Sequence, residues 1–95
     1  MSRAIWSSLA QRDLAELDEY YREIDPRVAE RMARAAVAAG RLLAANPHLG
    51  GAVPERGFRK WRVKQTPYLI FYRPEAGGVR ILRLIHHARD WREQL

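Results

Sequence analysis

Apolar residues recur at two spacings along this chain, and the change between them divides it in half. Residues 3–7, RAIWS, form an apolar run with no room for a helix before the next signal, which predicts a brief strand. Ser8 and Gln11 stand at the spacing of a capping box, in which each side chain satisfies an orphan amide of a helix start. Leu14, Leu17, Tyr21 and Ile24 follow at helical spacing and turn Asp13, Glu16, Asp18, Glu19 and Arg22 outward. Asp25 and Pro26 signal a second start, with Asp as N-cap and Pro at the first helical position, where its missing N–H costs nothing. Val28, Met32, Ala35, Ala36, Ala39, Leu42 and Leu43 make a second apolar stripe, and the alanines of 35–45 let another element approach closely. Asn46-Pro47 ends this helix. Two helices joined by so short a connection form an antiparallel hairpin.

After a loop, PHLGGAVPERG, the period shortens to two. In FRKWRVKQ, Phe58, Lys60, Arg62 and Lys64 point one way, and Arg59, Trp61 and Val63 the other. YLIFYR is an aromatic and β-branched strand, PEAGG a hairpin signal, and VRILRLIHH a third strand. Strict alternation gives that strand one face of Val79, Ile81, Arg83, Ile85 and His87, and another of Arg80, Leu82, Leu84 and His86. Both faces hold apolar residues, so the strand is expected in the middle of a sheet, partly covered on each side. ARDWREQL reads as a tail of one or two helical turns. The predicted architecture is α+β: a short N-terminal strand, then an antiparallel helical hairpin packed on a small antiparallel sheet that ends in a three-stranded meander.

Composition narrows the class. Ninety-five residues read as a single domain, 1–95. No cysteine is present, so disulfides and thiolate metal sites are excluded. The start MSRAIWSSLAQRDL has no apolar core of a signal peptide, and no run is long enough to span a membrane, so a cytoplasmic protein without a membrane partner is expected. The net charge of +6 is uneven. Residues 1–51 balance seven arginines against seven acids, whereas 52–95 carry eight arginines and two lysines against four acids. An anionic partner on the second half, nucleic acid or an acidic protein segment, would explain that excess.

Candidate chemistry gathers where the third strand ends, ILRLIHHARDW. Lys60, Arg62 and Lys64 on one strand, Arg80 or Arg83 with His86 and His87 on another, and Arg89 just beyond would bring cations suited to phosphate beside an imidazole able to move a proton. RNA cleavage through a ribose 2′-hydroxyl needs that combination. Edge-strand protection accounts equally well for Lys60 and Lys64, and a strand-end histidine is commonly an ordinary hydrogen-bonded residue. A zinc site from His48, His86 and His87 lacks motif spacing, and no cofactor motif is present, neither a phosphate-binding glycine loop nor a nucleophile elbow.

Taken in order, IWSSLAQRDLAELDEYY, LLAANPHLGG, GFRKWRVKQTPYLIFYR and VRILRLIHHARDW resemble the RelE/ParE superfamily of type II toxin–antitoxin toxins over nearly the whole chain. The resemblance implies a helical hairpin on a small antiparallel sheet. It also implies a bacterial growth-arrest toxin, of the kind found in plasmid stabilisation, held in a hetero-oligomeric complex by an antitoxin whose flexible tail folds on binding. RelE-like members are ribosome-dependent mRNA endonucleases, and ParE-like members are non-enzymatic inhibitors of DNA gyrase and replication. On RelE-like positions Arg62, Lys64, Arg89 and His86 would be catalytic, yet the place of a central arginine is taken by Leu69. The ending LIHHARDW is closer to the ParE-like pattern, with His86 at the usual histidine and His87 in place of a glycine. ParE-like gyrase inhibition is therefore the expected activity, and the ribosome with mRNA the alternative target. Arg59, Lys60, Arg83, His86, His87, Arg89 and Trp91 are the expected target-binding residues, with Trp91 equally suited to packing on the sheet. Leu14, Leu17, Tyr20 and Tyr21 are the expected antitoxin groove, because adjacent tyrosines on a helix cannot both face the core.

Overall fold

The computed structural model describes residues 2–95. Strand β1 (Arg3–Trp6) leads into α1 (Ser8–Ile24) and α2 (Pro26–Ala45), and then come β2 (Gly51–Val53), a single 3₁₀ turn (Pro54–Arg56), β3 (Phe58–Arg62), β4 (Tyr68–Glu75), β5 (Gly78–His86) and a one-turn α3 (Trp91–Gln94). The strands form one sheet in the order β1-β5-β4-β3-β2. Its neighbours are antiparallel except β1 and β5, which run parallel, so the sheet is mixed rather than wholly antiparallel. The loop read at 47–57 contains β2, whose three residues are too few to show a period.

Both helices start on side-chain caps. Asp25 accepts from the Arg27 amide and serves α2 as expected. The first cap is Ser7, one residue earlier than the capping box suggests. Ser7 Oγ accepts from the Ala10 amide at 3.0 Å and donates to the Leu82 carbonyl at 2.9 Å. Gln11 instead donates to the Trp6 carbonyl, which stands at the outer edge of β1. Gly78 lets β1 approach, since its φ is 149° and a β-carbon there would lie 1.9 Å from the Arg3 carbonyl oxygen.

The hairpin packs on one face of the sheet through Ala10, Leu17, Ala36, Ala39 and Leu43 against Val63, Ile70, Tyr72, Val79, Ile81 and Leu84. Leu42 and Ile24, placed on the apolar stripes by spacing, are exposed at the stripe margins. The opposite face holds a smaller second core of Val53, Phe58, Phe71, Ile85 and Trp91, with Leu69, Leu82 and Leu95 packed around it. The chain tail covers this face. Trp91 lies 5.1 Å from Phe71 and 6.0 Å from Phe58, ring centre to ring centre.

A bulge corrects the expected faces of β5. Phe71 pairs with Arg83 but Tyr72 pairs with Ile81, so Leu82 is an extra residue in the ladder. Val79, Ile81 and then Leu84 face the helices, whereas Leu82 and Ile85 join the second core. Strict alternation placed Ile85 with Ile81. The bulge moves it to the other side.

Candidate functional site

Residues of α1 and the far half of β5 border a groove of about 300 Å³. Leu17 is buried in its floor, Tyr20, Tyr21 and Tyr68 form aromatic walls, and His86 and Arg89 stand at one end. Tyr20 meets Tyr21 edge-on at 4.9 Å, and Tyr21 meets Tyr68 at 6.4 Å. Burial, reinforced by Tyr21, pushes the Tyr68 phenol up to about 12, so it remains a neutral hydrogen-bonding group. Beneath them Asp13 takes two bonds from the Arg83 guanidinium, at 2.8 and 3.0 Å, and one from the Leu84 amide at 2.9 Å. β1 pairs only with Gly78–Ile81, so the amide of Leu84 lies past the end of that strand and Asp13 supplies its acceptor.

The strand end is compact. His86 and His87 stack at 5.0 Å with an 18° tilt, and Tyr68 meets His86 edge-on at 5.4 Å. His86 Nδ1 accepts from the Ala88 amide at 3.0 Å. Burial first, then the charges of His87, Arg89 and Arg62, hold His86 below its ordinary value. These surroundings disfavour the charged imidazolium.

The residues singled out in the sequence separate into groups. Of the antitoxin set, Leu17, Tyr20 and Tyr21 line the groove, with Tyr20 61% exposed, while Leu14 packs toward the core. Of the target set, His86 and Arg89 border the same groove and His87 stacks beside it. Arg59 binds the carbonyls of His48 and Gly50 and ties the 46–50 loop to β3. Arg83 is engaged by Asp13, and Trp91 is buried with only 7% exposure, so both serve the fold. Lys60 lies by the Trp91 ring on the helix-free side. Lys64 falls beyond the end of β3, in the turn, and Arg62 donates to the Thr66 carbonyl. In register, Leu69 sits between Arg62 and Ile85. Sequence reasoning missed Asp13, read as outward-facing, and Tyr68, read only as the first residue of an aromatic strand. Asp13 carries no local signal, because its partner is 70 residues away.

The hairpin over a mixed five-stranded sheet, with β5 ending in a histidine and followed by a short helix, defines an α+β domain with its long helices on one face. A solved structure described as the chromosomal ParDE TA system from P. aeruginosa is similar to this chain, with a TM-score of 0.75 and 24% identity over 90% of this chain and 96% of that one. At that identity the likeness establishes the fold. The family model of the ParE toxin of type II toxin–antitoxin systems, parDE, matches residues 4–91, and the chain belongs to that family. No curated relative matches it. Among the described residues, no helix is long and apolar enough to cross a membrane.

Proposed function

We propose that this ParE-family toxin acts in the cytoplasm by inhibiting DNA gyrase, and that a cognate antitoxin neutralises it by laying an amphipathic segment in the groove between α1 and β5. The observation that carries the gyrase reading is the apolar Leu69 lying between Arg62 and Ile85. A phosphoryl-transfer site needs a cation there to meet charge developing at phosphorus. Lys64, in the turn past the end of β3, and Arg62, whose Nε is bonded to the Thr66 carbonyl, add support, since both are drawn toward the turn and away from Leu69. His86 accepts from the Ala88 amide through Nδ1, which leaves its proton on Nε2 and occupies the lone pair a general base would use, so it suits a protein contact better than proton transfer. The remaining target-facing residues are His86, His87 and Arg89.

The antitoxin segment would place apolar side chains over Leu17 and between Tyr20, Tyr21 and Tyr68, with a carboxylate toward Arg89. Tyr20→Ala with Tyr21→Ala should weaken antitoxin binding by at least tenfold in calorimetry; unchanged affinity would place the groove elsewhere. Growth arrest on induction should be lost in a His86→Ala/Arg89→Ala double variant that circular dichroism shows to be folded. A fully toxic double variant would exclude the strand end as the target contact. A specific observation favours one second reading: His86 senses both Arg62 and Arg89. Ribosome-bound mRNA cleavage abolished by single substitutions at those three residues would favour it.

A further inference from the structure

Ten cations lie within residues 52–95, yet among the described residues only Arg80 and Arg83 of these pair with Asp or Glu side chains, Glu75 and Asp13. Five of the others share the helix-free side of the sheet. Lys60 and Arg62 alternate with Phe58, Arg73 follows Phe71, and Arg56 and Arg92 flank the tail. Three of them converge. The guanidinium of Arg92 lies 4.4 Å from the centre of the Trp91 ring, the Lys60 ammonium 5.4 Å and the Arg56 guanidinium 5.9 Å. Arg56 is also bonded to the Leu95 backbone oxygen, and Arg83 to that of Gln94, so the tail holds the cluster in place. Glu55 and Glu93, adjacent in sequence, form no ion pair with it.

We propose that this face binds the phosphate backbone of duplex DNA, without sequence preference and independently of gyrase. The chemistry of the face selects the ligand. An amphipathic peptide has little to bury here, because Trp91 and Leu95 already cover Phe58, Phe71 and Ile85. Single-stranded nucleic acid requires exposed aromatic faces for its bases, and Phe58, Phe71 and Trp91 are at most 8% exposed. What the surface offers is charge, mostly arginine, whose planar donors match phosphate oxygens in pairs. Duplex DNA presents phosphates on its outside and is recognised non-specifically by charge alone. The cation–π contacts of Trp91 hold the cations at fixed places before binding.

Fluorescence anisotropy of a labelled duplex of mixed sequence, titrated with the purified toxin chain at several salt concentrations, tests this. Binding is expected to weaken by roughly two orders of magnitude from about 50 to about 200 mM salt, the slope for about four neutralised phosphates. Arg56→Gln/Lys60→Gln/Arg92→Gln should weaken binding at least tenfold and flatten the slope by about three. Arg31→Gln/Arg34→Gln/Arg41→Gln, an equal charge loss on α2, should leave binding nearly unchanged. Circular dichroism and melting verify that both variants fold. No binding at low salt, equal loss in both variants, or tighter binding of single strands or polyglutamate than of duplex would each overturn the proposal.

Discussion

Tyr72 carries its phenol into the interior, where the hydroxyl donates to the Pro47 carbonyl and accepts from the Gly50 amide, both at 2.8 Å. Gly50 is there because a β-carbon would sit 2.7 Å from both that hydroxyl and the Lys60 carbonyl. One side chain thus locks the loop that turns the chain from helices to sheet. Tyr72→Phe strands a buried donor and acceptor and should cost about 1–3 kcal/mol in urea unfolding. A variant as stable as the parent would show that water replaces the hydroxyl. His86 makes a pH-dependent prediction. Its folded value is lowered, so the unfolded chain takes up the proton first as pH falls below about 6.5. Stability is then full above that pH and declines as the pH falls toward the folded value. The melting temperature should drop more between about pH 7 and about pH 5 in the parent than in His86→Gln, and parallel curves would contradict the assignment.

At the scale of elements, the bulge at Leu82 decides which residues of β5 meet α1. Its carbonyl is taken by Ser7, the cap of α1, and two residues on the Leu84 amide is taken by Asp13 of the same helix. Arg83 and Asp13 side chains are only 13% and 9% exposed, so removing one partner leaves a charge with little water. Asp13→Ala should destabilise by about 3 kcal/mol, and much less when combined with Arg83→Met, a non-additivity that a double-mutant cycle measures. Additive losses would mean the pair is not coupled. The helices, their order and the meander were legible because apolar spacing records which side of an element is buried. Asp25-Pro26 marked the helix junction for the same local reason. The bulge was not legible, since VRILRLIHH alternates equally well with or without an extra residue. Nor was β2, three residues long, or the parallel pairing of β1, which depends on a partner 75 residues away. The site was legible in part. Tyr20, Tyr21, His86 and Arg89 were visible as residue types, but only the fold shows that they border one groove, and that Arg59, Arg83 and Trp91 are occupied structurally.

Across the whole molecule the charge divides as the layers do. The helical hairpin is neutral and has the aromatic groove at its border with β5, while the helix-free side of the sheet carries uncompensated cations. Two partners of different chemistry can therefore address different sides of an 11.0 kDa protein. His86, His87 and Arg89 stand beside the groove at the strand end, so an antitoxin segment seated there would also cover the proposed target contact, and on that proposal toxicity would return on its removal without refolding of the toxin. Supercoiling of relaxed plasmid by purified gyrase, with and without this toxin, tests the gyrase target. Loss of supercoiling or accumulation of cleaved DNA at near-stoichiometric toxin, reversed by the cognate antitoxin, is the predicted result. Undiminished supercoiling at a large excess of a toxin preparation that still arrests growth would contradict it.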